Sequence, residues 1–514
     1  MANEENLAEN TAQNQDDMHA LRRQKAEAFR SRGMNIYGRR VDGLTSSTEV
    51  KAAFEALPEG SEEKLHYKVA GRLMLRRIMG KASFAKLQDQ PGSLQLYVQK
   101  NEVGDEAYAL FKEIDLGDLI SAEGYVFRTR TGEISLHVEK LELLAKSLRP
   151  MPEKFHGMTD TEQRYRQRYV DLFSREDVRR VFEKRSQMIR EIRKFLESRG
   201  FMEVETPMMQ NLAGGAAARP FKTYYNALGC QMYLRIAPEL FLKRLIVGGL
   251  ERVYEIGRNF RNEGMDRRHN PEFTCLELYQ AYSDCRGMME IMESMLTTVA
   301  QNVFGTLEFK AANGNVVNLQ RPWRVAPYQE LVKEKMGADW YDLDLETQRR
   351  KAKELGLDID DSMDSLHVTH EIYDKLIEST LIQPTFVTRL PAFLVPLAKR
   401  CEDDPSLVDV YELEINGQEI SPGYSELNDP DEQRARFDSQ LIGRDDLEGE
   451  VDRIDEDFLT ALEFGMPPTG GLGMGIDRVV MLMTGAESIR DVILFPQMRP
   501  QKAAAANPAE ADQQ

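Results

Sequence analysis

The chain has 514 residues, 41% of them hydrophobic and 30% charged, with a formal net charge of −18. That length supports two or three domains with a sizeable core, and the absence of any run of about 18 apolar residues argues against a membrane-spanning helix. The opening stretch "MANEENLAENTAQNQDD" has no apolar segment, so no secretory signal peptide is expected, and the four cysteines (Cys230, Cys275, Cys285, Cys401) form no CxxC pair, which argues against a zinc ribbon and suits a reducing cytoplasm.

Residues 1–17 read as disordered, and residues 18–60 as a basic helical arm with a break near "SRGMNIYG". Within residues 19–40, Arg22, Arg23, Lys25, Arg30, Arg32, Arg39 and Arg40 stand against a single acid, Glu27. Such a segment could face a phosphate backbone, but taken alone it predicts a solvated helix face. Residues 61–148 change texture. "YKVAGRLML", "ASFAKLQD", "SLQLYVQK", "DLISAEGYVFRT" and "EISLHVEKLELLA" are short alternating runs, with a helix-like insert, "GDEAYALFKEI". This pattern predicts a small Greek-key barrel of OB type. Residues 149–175 form a linker rich in Arg and Tyr.

From 176 to 500 the chain reads as one α+β domain. "RRVFEKRSQMIREIRKFLESRG" has apolar residues at helical spacing and closes on Gly200. "FMEVETPMM" is a strand interrupted by Pro207, which suits a sheet edge. Residues 501–514 are low-complexity and expected to be disordered.

The stretch "RNFRNEGMDRRHNPEF" (258–273) is a charged loop between two alternating runs. A period of two puts Tyr254, Ile256 and Phe260 on a core face, with Leu276 and Leu278 sharing one face of the returning strand. The opposite face presents Arg261, Glu263, Phe273, Glu277 and Tyr279. A floor of one arginine, two acids and two aromatics suits a small-molecule site; the blander reading is an exposed sheet with weak surface ion pairs.

A second hairpin, "VYELEINGQEISPGYSELND", carries Asn416-Gly417, a type I′ turn signal. That turn places Glu414 opposite Glu419, with Glu412 diagonal on the same face. Opposed like charges are destabilising. A cation would relieve the conflict, and Mg²⁺ takes one or two carboxylates plus phosphate oxygens and water; the residues alone leave an exposed acidic hairpin equally open. The glycines Gly471, Gly473 and Gly475 have the wrong spacing for a dinucleotide loop and suit a strand passing close to a ligand or a helix.

"FRNEGMDRRHNPEF" resembles motif 2 of class II aminoacyl-tRNA synthetases, and the longer string "FRNEG…RHNPEFTCLELYQAY" resembles the lysyl-type, bacterial members of subclass IIb. "FLESRGFMEVETPMM" is similar to motif 1 and "GLGMGIDRVVMLMTGAESIRDVILFPQMRP" to motif 3. "GGAAARPF" and "LRIAPELFLKRL" also look lysyl-type. The resemblance covers nearly the whole chain. It implies an OB-fold anticodon-binding domain before a catalytic antiparallel sheet flanked by helices, in a cytoplasmic homodimer whose interface holds Pro207. The implied reaction is ATP-dependent activation of L-lysine to lysyl-adenylate and its transfer to the 3′ end of tRNA(Lys).

The same resemblance implies residue roles. Arg261 bridges the substrate carboxylate and α-phosphate, and Arg268, His269 and Arg478 hold the outer phosphates. Phe273 stacks on adenine, with Glu263 and Asn270 helping to read it. Glu412 and Glu419 hold Mg²⁺ against ATP; Glu414 receives no role. Glu277, Tyr279 and Glu426, with Tyr424 beside them, take the lysine side-chain amine. Glu239 and the backbone near Gly215 take the α-amine. Pro422 departs from the family, which has Asn there.

In the barrel, residues 71–100 hold Arg72, Arg76, Arg77, Lys81, Lys86 and Lys100 against Asp89, a candidate nucleic-acid surface. Spacing alone expects Phe84 in the core. The resemblance instead makes Phe84, Gln95, Arg77 and Glu133 anticodon readers. Three rivals are weighed. A protein-modifying lysyl-transferase of the same family lacks the OB domain. An aspartate or asparagine enzyme would not want three acidic or phenolic groups (Glu277, Tyr279, Glu426) around its side chain. A degenerate tRNA-binding module would not need Arg261, Glu412, Glu419 and Arg478 intact.

Overall fold

The computed structural model describes residues 2–58, 63–151, 160–212, 214–216, 218–395, 397–441 and 454–501. The tail at 502–514 lies outside these residues, as do residues 152–159 of the linker. The chain divides into two compact units, residues 1–158 and 159–514. Among the described residues no helix is long and apolar enough to cross a membrane.

The first unit opens with helix α1 (Ala2–Ser31), followed by α2 (Ser47–Glu55). Residues 2–17, expected to be disordered, continue α1; the segment holds no Pro or Gly, and its Ala, Glu and Leu favour helical backbone. A solvated basic face describes only part of this helix. Arg22 is buried and donates to the carbonyls of Leu116, Ser147 and Arg149. Lys25 pairs with Asp115 at 2.6 Å. These charges dock the helix rather than face solvent.

Five strands follow: β1 (His66–Met79), β2 (Ala82–Gln88), β3 (Ser93–Gln99), β4 (Leu119–Arg128) and β5 (Ile134–Ala145). They close a barrel in the order β1-β2-β3-β5-β4, the predicted OB-type closure, with helix α3 (Lys100–Glu113) between β3 and β4 in the chain. Alternation fills its interior with Val69, Leu73, Leu87, Leu96, Val98, Ile120, Leu136 and Val138. Two of the basic residues counted as a nucleic-acid surface serve the fold instead. Arg76 donates to the carbonyls of Phe111 and Ile114, and Arg72 to that of Gly117, all at the exit of α3. Those carbonyls lack helical partners, and a cation beside them is favourable.

The second unit is built on an eight-stranded sheet. Its elements include α4 (Glu176–Ser198), β6 (Met202–Glu203), α5 (Glu239–Val247), β7 (Arg252–Phe260), β8 (Glu272–Ala281) and α6 (Cys285–Phe304). The remaining strands are β9 (Arg324–Pro327), β10 (Thr385–Thr388), β11 (Val410–Glu414), β12 (Glu419–Ser425) and β13 (Thr469–Gly475), which runs into α7 (Ile476–Thr484). The strand order is β9-β10-β11-β12-β13-β8-β7-β6. All neighbours are antiparallel except β9/β10 and β7/β6. Pro207 ends the run that began in β6, and the next pair, Met209–Gln210, joins a separate three-stranded sheet. One face of the large sheet carries the core: Tyr254, Leu276, Leu278, Leu413, Leu472 and Met474 pack against Ile192 of α4, Met295 of α6 and Val480 of α7. With that face sealed, the polar residues of the same strands are left to the other side.

Candidate active site

On that other side lies a cavity of about 850 Å³, lined by every residue that the sequence singled out in this unit as a site residue. Its floor is the β7–β8 hairpin. The register pairs Tyr254 with Leu278 and Ile256 with Leu276, as alternation predicts, and sends Glu277 and Tyr279 into the cavity. The chain leaves β7 at Arg261, whose amide donates to Pro271 O at 2.9 Å and closes the mouth of the charged loop. The Arg261 guanidinium lies 5.2 Å from the Phe273 ring centroid. That stacking holds a fork of donors over the floor while leaving it fully charged.

Asp266, which sequence reading passed over, shapes the loop. It accepts from the amides of Arg268 (2.6 Å) and His269 (2.7 Å), and from His269 Nδ1 at 2.8 Å. Burial works against its charge, but the His269 ring and the two amides outweigh burial and hold the carboxyl below its usual range. The signal was available, since Asp in a loop commonly bonds backbone amides two residues on. The Arg478 guanidinium at the start of α7 reaches both pieces that border it. It donates to Glu419 O at 2.6 Å and stands 3.3 Å from His269 Nε2. The neighbouring Asp477 accepts from the Thr274 amide at 2.8 Å and pairs with Arg185, locking the helix start to β8. Loop, hairpin and helix thus bring Arg268, His269, Arg478 and Glu419 to one end of the cavity, with Glu263, Asn270 and Phe273 along its wall.

The β11–β12 hairpin supplies the acids. Asn416 and Gly417 both take positive φ, 58° and 66°, as a type I′ turn requires, and Glu414 does face Glu419. Glu412 is not diagonal to Glu419 in a regular ladder. An irregularity between Leu413 and Glu414 leaves Ile420 outside the pairing and sets Glu412 across from Pro422. Burial, then the charges of Glu419 and Glu378, push the Glu412 carboxyl up to about 8. Glu414 is buried with Oε2 unpartnered, and burial, Glu378, Glu412 and Glu419 push it up to about 10. Among the described residues no group of three His, Cys, Asp or Glu side chains could hold a metal alone. Glu412 and Glu419 fit Mg²⁺ only as a carboxylate pair completed by phosphate oxygens.

The same cavity is lined by Gly215, Glu239, Glu277, Tyr279, Tyr424 and Glu426. Gly215 has φ +86°, and a Cβ there would sit 3.2 Å from the Cβ atoms of Ala237 and Glu239. Tyr279 OH donates to Glu277 Oε2 at 3.3 Å. Burial, then Glu239, push the Glu277 carboxyl up to about 8, against the pull of Arg235 and Arg261. Burial raises the Glu426 carboxyl to about 7, with Lys243 opposing and Glu239 assisting. Lys243 is the residue that sequence reasoning missed. It is fully buried and pairs with Glu239 at 2.7 Å and Glu426 at 2.5 Å. Its ammonium is held charged because the two carboxylates outweigh the burial that opposes them. The Glu239–Lys243 spacing of i,i+4 was a usable signal; the third partner, far along the chain, was not.

In the first unit, Phe84 does not join the core that spacing assigned it to. It faces outward, paired in register with Arg77 and Tyr97 and 5.0 Å from the Tyr97 ring centroid. Gln95 lies half-buried one row away, donating to Ser135 Oγ at 2.9 Å. Arg77 is exposed, as is Glu133, which has Lys51 Nζ at 3.8 Å. The arrangement offers an aromatic face with amide and charged groups around it.

The family profile "tRNA synthetases class II (D, K and N)" matches residues 160–499, and "OB-fold nucleic acid binding domain" matches residues 67–144. A lysine–tRNA ligase of Carboxydothermus hydrogenoformans is 50% identical over 486 residues, covering 94% of this chain and 98% of that protein. A lysine–tRNA ligase of Staphylococcus aureus is 48% identical over 492 residues, covering 94% and 99%.

Proposed function

The chain belongs to the class II tRNA synthetases (D, K and N), and from that premise we propose that its cavity carries out the lysine–tRNA ligase reaction. L-lysine is activated by ATP and transferred to the 3′ end of tRNA(Lys). The observation that carries the reading is the charge lining of the cavity. Buried carboxylates Glu239, Glu277 and Glu426 share it with Arg261, Arg268, His269 and Arg478. A diamino acid and a triphosphate are the pair of substrates that both signs of charge would hold.

The ammonium groups of lysine pair with the carboxylates, because a buried charge must find a partner. Its carboxylate meets the Arg261 fork, which can bind oxygens of the carboxylate and of the α-phosphate together. Phe273 stacks the adenine, and Glu263 and Asn270 read it. Arg268, His269 and Arg478 neutralise the outer phosphates, so that pyrophosphate can leave without a protein nucleophile. Mg²⁺ on Glu412 and Glu419, when bound, neutralises phosphate charge. In the barrel, Phe84 stacks an anticodon base, and Gln95, Arg77 and Glu133 read its neighbourhood. The protein works in the cytoplasm as a homodimer, with Pro207 at the contact.

The test is amino-acid-dependent ATP–pyrophosphate exchange, without tRNA, across all twenty amino acids. Exchange with lysine alone is expected. No exchange in folded protein with Mg²⁺ would overturn the reading and favour a tRNA-binding module without catalysis. Exchange with several amines would place the loosening at Pro422, which lines the cavity and offers no amide hydrogen.

A further inference from the structure

Lys243 sits one helical turn after Glu239 on α5 and is fully buried. Its Nζ is shared: 2.7 Å from Glu239 Oε1 and 2.5 Å from Glu426 Oε2. Glu426 comes from the far end of β12, so one side-chain ammonium pins two carboxylates that approach from different elements. Neither Glu426 oxygen has a hydrogen-bond partner of good geometry: Oε2 meets Lys243 as an ion pair, and Oε1 is buried over Gly471 beside the Tyr279 ring. A buried carboxylate oxygen without a donor is costly, and both carboxylates line the cavity.

Charge adds a second argument. Glu239, Glu277 and Glu426 with one internal ammonium leave two negative charges when all are ionised. A diamino acid has two ammonium groups to offer. The Arg235 guanidinium pairs with Glu255 at 2.5 Å, so that pair adds no net charge, although Arg235 still favours the ionised form of Glu277.

We propose that Lys243 is a positioning residue for amino-acid selection: by tying Glu239 and Glu426 to one buried ammonium, it fixes the separation of the carboxylates that receive the two amines of the substrate, and so sets the chain length of the diamino acid accepted. The proposal rests on the lysine-ligase reading above. It deepens that reading by naming what holds the two recognition points apart. Without the tie, Glu239 and Glu426 repel each other, and each becomes free to follow a shorter ligand.

The experiment is ATP–pyrophosphate exchange with lysine and with ornithine, one methylene shorter, in the full-length protein and in Lys243→Gln. Because removal of a buried cation can unfold a protein, a second variant, Lys243→Gln with Glu239→Gln, removes a cation and a carboxylate together. In both variants the lysine KM is expected to rise at least roughly tenfold, with the ATP KM unchanged. The lysine-to-ornithine ratio of kcat/KM is expected to fall by at least roughly tenfold, within the range that one methylene commands. A wild-type protein without lysine-dependent exchange would remove the ligase reading itself. Wild-type exchange accompanied by an unchanged lysine-to-ornithine ratio in either folded variant would overturn the role of Lys243 alone. So would lysine and ATP KM values rising together, which is the mark of a purely structural part.

Discussion

At the scale of single residues, burial suppresses the ionisation of the cavity's carboxyl groups. Burial, then Glu239, push Glu277 up to about 8, and burial pushes Glu426 up to about 7. Ordinary glutamate titrates near ~4.3, so between that value and about 8 the unliganded folded protein holds more protons at Glu277 than the unfolded chain does. Its stability therefore falls as pH rises through this window. A bound diammonium favours the carboxylate forms and expels those protons, so lysine binds more tightly as pH rises over the same range. The lysine KM in the exchange reaction is expected to drop roughly tenfold from pH 6 to pH 8.5, alongside a declining melting temperature of the unliganded protein. A lysine KM flat across that range would show that the carboxyls are already ionised. The identities of Glu277 and Glu426 were open in the sequence, but their protonation was not. Desolvation comes from atoms distant in the chain, and Lys243, which opposes it at Glu426, was legible only as half of a helical i,i+4 pair.

At the scale of elements, local chemistry was readable where it depends on neighbours in the chain. The Asn416-Gly417 turn and the alternation of β7 and β8 follow from backbone preference and a period of two. The irregularity that moves Glu412 opposite Pro422 did not follow, because a bulge is set by what the strand must fit against. The glycine string of β13 is explained at this scale as well. A Cβ on Gly471 would lie 2.1 Å from Glu426 Oε1 and 2.5 Å from the Tyr279 ring, so β13 must be bare where it passes under these two side chains. Gly471→Ala is accordingly expected to raise the lysine KM at least roughly tenfold, to leave the ATP KM unchanged and to cost about 1–3 kcal/mol of stability by overpacking. Normal lysine kinetics in that variant would mean that Glu426 has room to move and is not the fixed point assumed here.

At the scale of the whole molecule, two units divide the work. The cavity gathers residues from Gln210 to Ile489, and the barrel presents Phe84 and Gln95 on neighbouring strands. Phe84→Ala is expected to weaken tRNA use by about 1–3 kcal/mol of lost stacking, read as a higher tRNA KM in aminoacylation. Lysine-dependent exchange without tRNA should be unchanged in the same variant. A loss of exchange would show that the substitution damages more than recognition.

The sequence by itself determined the class of both units, the motif-bearing segments and the chemical character of the cavity, because helix period, strand period, turn residues and clustered arginines and glutamates act locally. Only the tertiary structure decided how the charges are used. Arg22, Arg72 and Arg76 turn inward to backbone carbonyls, Phe84 turns outward, and Lys243 joins two carboxylates from separate elements. The reason is physical: a charged or aromatic side chain takes its role from which partners and how much water surround it, and those are set by segments far apart in the chain.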